Sequence, residues 1–295
     1  MRRSIQILAI AVLAGFGLVS VGHAGSATSI NGLYYTGQNA SGGLAAGGAN
    51  DAHWTVTAAY LNGTNNSTYT GAAYVLSGPD SSYAPNTSTA KWITAPGARA
   101  TSSGTSSVNT GGDYLPGSSA SGTNSAYYVY RLAFTIGGTG TGTVTNNIQL
   151  SMTIAADDNY YVYVNPSRAP TVNSSGTIDA SAGGGNGTAV ASGTSAWSNT
   201  TSFKIGNSTA NSGDVNNASF VIGTNYIYVV VANTDGGSNT GGLNQSGLLV
   251  YQVGSGITID GKPVPEVGTI LPIVGALGLF LFRRMRRGGG ASLVA

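Results

Sequence analysis

Residues 126–136, Ala126-Tyr127-Tyr128-Val129-Tyr130-Arg131-Leu132-Ala133-Phe134-Thr135-Ile136, alternate with a period of two. Tyr128, Tyr130, Leu132, Phe134 and Ile136 share one face, and Val129, Arg131, Ala133 and Thr135 share the other. Successive side chains of an extended chain point to opposite sides, so the pattern predicts a half-buried strand. Residues 148–154 repeat it, with Ile148, Leu150, Met152 and Ile154 set against Gln149, Ser151 and Thr153. Residues 159–165 (NYYVYVN) and 225–233 (NYIYVVVAN) are apolar on both faces, which predicts central strands covered on each side. Further strands are expected near residues 53–59, 72–76, 202–205 and 247–253. No segment of the body shows a convincing 3.6-residue period, and the turns are rich in Gly and Asn. The expected fold is therefore all-β, an antiparallel sandwich of the jelly-roll kind.

Composition narrows the function classes. The 295 residues include 46 Gly and no Cys, and only 7% are charged against about 25% in ordinary soluble domains. A disulfide framework, a thiolate metal site, a Cys nucleophile and a charged coiled coil are excluded. The 3 Trp, 16 Tyr and 6 Phe can bury too much apolar surface for simple disorder. Six of the 12 basic residues lie in the two ends; between residues 25 and 262, six basic side chains meet nine Asp, a net charge of −3. The body has no basic stripe to neutralise phosphates, which argues against nucleic acid as a partner.

The ends read differently from the body. Met1-Arg2-Arg3, an apolar run over 5–21 and Gly22-His23-Ala24 form a secretory signal pattern, with cleavage expected after Ala24 and a retained anchor as the alternative. Near the other end, Pro263-Val264-Pro265-Glu266 precedes an apolar run over 267–282 and the cluster Arg283-Arg284-Met285-Arg286-Arg287. Sixteen helical residues cover about 24 Å, close to a ~30 Å hydrocarbon core. Arginines at one end of such a helix snorkel to the interface and hold it on the cytoplasmic side. The expected organisation is a signal helix over 1–24, a β-sandwich over 25–255, a linker over 256–263, a sorting segment with a single transmembrane helix over 264–287, and a tail over 288–295.

This order of motif, helix and basic cluster resembles the PEP-CTERM sorting signal of bacteria with exosortases. Val264-Pro265-Glu266 matches the motif, Val267 stands where the family has Pro, and residues 288–295 follow the Arg cluster. The resemblance implies an exosortase-type processing enzyme as partner, a transient membrane anchor, and delivery to the cell surface or extracellular matrix. Scattered blocks of the body also resemble a β-sandwich domain of surface proteins with this tail. They are Ile30-Asn31-Gly32-Leu33-Tyr34, Asp51-Ala52-His53-Trp54, Lys91-Trp92-Ile93, and the Tyr-Arg-x-x-Phe of Tyr130–Phe134. Residues 155–159 with Tyr163-Val164-Asn165, and residues 223–227 leading to 247–250, also look like the galactose-binding-like jelly rolls appended to glycoside hydrolases. Pro166 replaces the Gly expected after Val-Asn and cannot supply a positive φ, so this turn must be wider than a tight hairpin.

Candidate sites are few. Asp157-Asp158-Asn159 lies between two strands, where the oxygens suit Ca²⁺, the capping of a turn, or a sugar hydroxyl. Asn233-Thr234-Asp235-Gly236-Gly237 reads as a plain turn. Trp54, Trp92 and Trp197 serve either as core or as stacking platforms for sugar rings; Trp197, which ends a polar stretch, is the one expected to be exposed. Residues 98–122, 167–195 and 206–217 read as long loops, and 183–187 has the composition of a linker. Catalysis has little material: His53 is the only His after the signal, the body has no Glu, and no Gly-x-Ser-x-Gly stands in strand-turn-helix context. The expected function is a secreted, non-enzymatic surface or matrix protein associated with exopolysaccharide. The alternatives are a carbohydrate-binding module on the same sandwich, with Ca²⁺ as a conceivable ligand, and a surface enzyme acting on glycans.

Overall fold

The computed structural model describes residues 24–61, 63–65, 67–78, 83–96, 125–181, 189–194, 197–207, 218–234, 246–252 and 256–264. The signal run, Pro265, Glu266, the Arg cluster and the stretches 98–122 and 183–187 lie outside them. In chain order the strands are β1 (Ser26–Asn31), β2 (Asn50–Leu61), β3 (Thr64–Asn65), β4 (Gly71–Val75), β5 (Ile93–Thr94), β6 (Ser125–Thr139), β7 (Ile148–Asp157) and β8 (Asn159–Val164). They continue with β9 (Thr171–Val172), β10 (Ile178–Asp179), β11 (Ala191–Gly193), β12 (Thr201–Gly206), β13 (Gly223–Thr234), β14 (Gly247–Tyr251), β15 (Ile257–Ile259) and β16 (Lys262–Pro263). One short 3₁₀ turn, Ser67–Tyr69, is the only helix among the described residues. None of their helices is long and apolar enough to cross a membrane.

The fold is all-β and sandwich-like. One half of the sheet runs β11-β8-β13-β6, with β1 and β2 sharing the far edge of β6; the other runs β4-β5-β14-β7. β2 pairs with both β6 and β4, so the sheet curls on itself into a half-barrel, and its strand pairings are antiparallel. On β7, β14 and β15 follow one another along one edge, and β12, which overlaps both, takes the opposite edge. Tyr128, Tyr130, Leu132, Phe134 and Ile136 face inward as the alternation predicts, and share a core with Leu150 and Ile154 of β7 and Val229 and Val231 of β13. Trp54 joins them, fully buried.

Both central strands are covered on their outer faces. Over the first half, the hairpin β9–β10 lays Val172, and Ala180 just after it, on Val129, Tyr163, Tyr228 and Val230. Burial there pushes the Tyr163 phenol up to about 12, with the neighbouring Tyr161 phenol adding to the shift. Over the second half, the segment 83–92 lays Ala84, Ala90 and Trp92 on Ala155 and Leu249. Two expectations change accordingly. The stretch 167–195 is not simply a loop, since it contains β9, β10 and β11. The stretch 256–263 holds β15 and β16 rather than serving only as a linker, with Ile257 and Ile259 buried against β7. Strands of two or three residues are too short for alternation to register.

A buried carboxylate ties the start of the sandwich together. Asp51 accepts Gly37 N–H at 2.6 Å on Oδ2, and the N–H groups of His53 and Trp54 at 2.8 Å on Oδ1. Gly37 sits at φ +76°, and a Cβ there would fall 2.8 Å from the Lys91 backbone nitrogen, so glycine alone permits the approach. At the far side of β8, Asn165 takes the positive φ (+43°) that Pro166 cannot, and the chain leaves the sheet for the covering hairpin.

Removing part of an outer cover contact tests the layered reading. Val230→Ala should cost about 2 kcal/mol, because its side chain is fully buried on the outward face. A urea midpoint that does not move at constant slope would show that face to be open.

Asp51 gives a pH test with a definite sign. Burial raises its carboxyl above the ordinary value despite the opposing hydrogen bonds. The folded protein thus binds this proton more tightly than the unfolded chain. Its contribution is present below the ordinary carboxylate range and is lost as pH rises through the folded pKa. Asp179 and Asp260 slope the other way: hydrogen bonds from the Ser181 backbone and the Asn146 side chain, respectively, hold their carboxyls low. The stability of the native protein relative to Asp51→Asn should therefore fall between pH 3 and 7 in urea titrations; a rise refutes the burial account.

Candidate functional site

The Asp157-Asp158-Asn159 corner is a crossing point between the two halves of the sheet. Asp157 is the last residue of β7 and pairs with Gly247 of β14; Asn159 is the first of β8 and pairs with Ala232 of β13. Only Asp158 lies between them, and its N–H donates to the Ala232 carbonyl at 3.1 Å. Ala155 and Ala156, both fully buried, keep β7 slim where the sheet halves converge. Asp157 is buried and Asp158 half-buried.

Tyr83 connects this corner to Trp197. Its hydroxyl donates to Asp157 Oδ2, and its ring lies 5.0 Å from that of Trp92. Trp92 Nε1–H donates to the Ala84 carbonyl at 2.7 Å, and Ala84 N–H donates to the Trp197 carbonyl at 2.8 Å. Trp197 is half-buried, whereas Trp54 and Trp92 are fully buried core residues. The structure thus links Asp157, Asp158, Asn159 and Trp197 at one end of the sandwich. Sequence spacing had no means of joining them, because Tyr83 carries no periodic signal and lies 74 residues from Asp157. Ser246 belongs to the same end: its hydroxyl is buried without a hydrogen-bond partner among the described residues, and its carbonyl accepts Thr94 Oγ1–H at 3.1 Å.

What the described residues offer here is the half-buried side chains of Asp158, Asn159 and Trp197. No group of three His, Cys, Asp or Glu among the described residues is placed to hold a metal ion. Of the Asn233–Gly237 turn, residues 235–237 lie outside them. His53 does not form an acid–base pair with its neighbour Asp51, whose oxygens take backbone N–H groups. Its ring instead stacks on Tyr34 and donates from Nε2 to the Asn39 carbonyl at 2.9 Å. A cavity of about 20 Å³ beside Leu33, Trp54, Leu132, Leu150 and Met152 has room for a water-sized body and not for a sugar. Asn225, fully buried, donates to the Val221 and Gly223 carbonyls and accepts from Asn165 Nδ2. The resembling blocks around Asp51 and Asn225 thus do structural work.

No protein-family model matches the chain, and no curated protein and no solved structure matches it either.

Tyr83→Phe removes the hydroxyl that donates to the Asp157 carboxyl and should destabilise the fold by about 1.5–3 kcal/mol. Equilibrium unfolding of the two proteins side by side measures it. Equal midpoints would mean that the corner does not depend on Tyr83.

Proposed function

We propose that the chain is an exported, non-enzymatic surface or extracellular-matrix protein, displayed through an exosortase-type C-terminal sorting signal and associated with exopolysaccharide. One observation supports the reading: described strands reach from just after the expected cut at Ala24 up to the first residue of the sorting motif. Gly25, the first residue after the expected cut at Ala24, already bonds Thr143 and Thr145, while Ala24 is exposed. At the other end Val264, the first residue of the Val264-Pro265-Glu266 motif, makes the last described backbone bond, to the Ile257 carbonyl at 3.0 Å.

On this reading the body is a jelly-roll-like sandwich. The helix over 267–282 halts the chain in the membrane, Arg283, Arg284, Arg286 and Arg287 hold its end on the cytoplasmic side, and processing near Glu266 releases the domain outward. A second reading, a carbohydrate-binding module, is favoured by the convergence of Asp158, Asn159 and Trp197 on one end. An indole face matches the apolar face of a sugar ring, and neighbouring amide and carboxylate oxygens accept from its hydroxyls.

Intact mass of the protein isolated from the surface of its native cells tests the first reading. The expected mass lacks residues 1–24 and the segment beyond the motif. Full-length chain recovered from the cytosol would overturn it. For the second reading, retention of the domain on a polysaccharide affinity gel should be lost in Trp197→Ala.

A further inference from the structure

β6 has strands on both sides, yet its outward side chains pass from covered to open along its length. Val129 is fully buried beneath the hairpin β9–β10, Arg131 is half-buried, and Ala133 and Thr135 are exposed. The change runs toward the 140–147 connection, which joins β6 to β7 at the end of the molecule opposite the Asp157 corner. Register places the neighbours. Arg131 pairs with Thr55 of β2 and Tyr228 of β13, Ala133 with Tyr226, and Thr135 with Asn31 of β1 and Thr224 of β13. Directly opposed residues of paired strands share a face. Asn31, Thr135 and Thr224, all exposed, thus form one polar row across three strands. Four residues along β6 separate this row from Arg131, about 13 Å at ~3.3 Å per residue.

The charge at the head of this open face is held but not neutralised. Arg131 Cζ lies 5.4 Å from the centroid of the Tyr226 ring, and Tyr226 leans on Tyr228 at 6.2 Å. An aromatic face attracts the flat side of a guanidinium, whereas a carboxylate takes its N–H edge, so the two partners do not compete. The ion pair among the described residues joins Arg168 to Asp179, and Lys91 Nζ donates to the Ala45 carbonyl. Arg131 makes neither kind of contact with a described residue. A half-buried cation that has given up water without an acidic partner has a desolvation cost that an incoming anion offsets. Only 7% of this chain is charged, and this cation stands within a sheet rather than on a turn.

We propose that the open outer face of β1, β6 and β13 binds an acidic polysaccharide, with Arg131 taking the carboxylate of a uronic acid residue. Asn31, Thr135 and Thr224 exchange hydrogen bonds with the hydroxyls of neighbouring sugars. Ala133 keeps the sheet low between the row and the guanidinium, so an extended polymer lies flat across it. Hydroxyls along the whole ligand use the polar row, which the carboxylates of an acidic peptide, as acceptors only, use in part. The inference rests on the exopolysaccharide association and gives it a chemical class, at a face separate from the Trp197 corner. It also divides the Tyr130-Arg131-x-x-Phe134 block: Tyr130 and Phe134 belong to the core, and Arg131 faces the ligand.

Equilibrium binding of the full-length protein in mild detergent is measured on immobilised polygalacturonate, alginate and hyaluronate. The same polymers with their carboxyls reduced to alcohols are the controls. Affinity for at least one acidic polymer should exceed that for its reduced form roughly tenfold or more, and Arg131→Gln should remove the excess. Arg131→Lys should restore only part of it, because an ammonium lacks the planar fork. Thr135→Asp, at an exposed position, places a like charge on the face and should weaken acidic binding, whereas Trp197→Ala should not. Urea midpoints confirm that each variant is folded. Reduced polymers binding as tightly as acidic ones, or acidic binding that Arg131→Gln and Thr135→Asp both leave unchanged, overturns the inference and leaves the exopolysaccharide association standing. Polyglutamate binding as tightly as the acidic polymers overturns the saccharide. Absence of binding to either set of polymers overturns both the inference and the association.

Discussion

β13 places Val229 and Val231 on one face and Tyr228 and Val230 on the other, and all four are buried. β8 does the same with Tyr160, Val162 and Val164 inward and Tyr163 outward. A strand apolar on both sides loses about 1.5–3 kcal/mol for each large side chain left in water. The sandwich therefore needs further layers outside its two sheet halves, and the chain makes them from its connections. The hairpin β9–β10 and the segment 83–92 are these layers, and their positions follow from where the outward apolar residues lie.

Covering a sheet with irregular chain creates a second demand, because backbone N–H groups outside a ladder have no strand partner and need other acceptors. Short polar side chains supply them. Asn173 Oδ1 takes the N–H groups of Ser175 and Thr177 at the tip of the hairpin. Asn86 Oδ1 takes Trp92 N–H, and Thr87 Oγ1 takes Ala90 N–H, within the other cover. The wealth of Asn, Ser and Thr, with so few charges, thus has a structural cause. Amides and hydroxyls bond the folded-over connections locally at small desolvation cost, where a Lys or Glu would carry a charge into the layer.

The same physics explains which parts of the fold were legible in the sequence. β6 and β7 are long enough for alternation to register, β8 and β13 show as runs apolar on both faces, and the inward residues of β6 read correctly from Tyr128 to Ile136. β9, β10 and β16 have two residues each, with no period to read; β9 and β10 pair with each other, and β16 with β15. The corner shows a similar division. Sequence placed Asp157-Asp158-Asn159 between strands, whereas Asp157 ends β7, Asn159 opens β8 and only Asp158 lies between; the crossing between sheet halves was not legible, because pairing partners are invisible in one strand's own pattern. The block Asp51-Ala52-His53-Trp54 has the residue types of a catalytic group, yet the Asp51 oxygens are fully engaged by backbone N–H groups. Three-dimensional partners, not residue type, decide whether a carboxylate is chemistry or scaffold.

A division of labour between the two ends of the molecule follows. At the 140–147 end, Asn146, Asn165, Asn207, Asn225 and Asp260 close the turns with side-chain bonds to backbone. Asn207 alone takes Ile148 N–H and donates to the Val144 and Asn146 carbonyls. Such bonding ties the first strand and the Asp260-Gly261 turn to the 140–147 connection, since neither can move without breaking several bonds at once. At the opposite end the fixed parts are the buried Asp157 and Tyr83, and the half-buried Asp158, Asn159 and Trp197 stand around them. The two ends are thus held by different means, side-chain bonds to backbone at one and the buried Tyr83–Asp157 contact at the other.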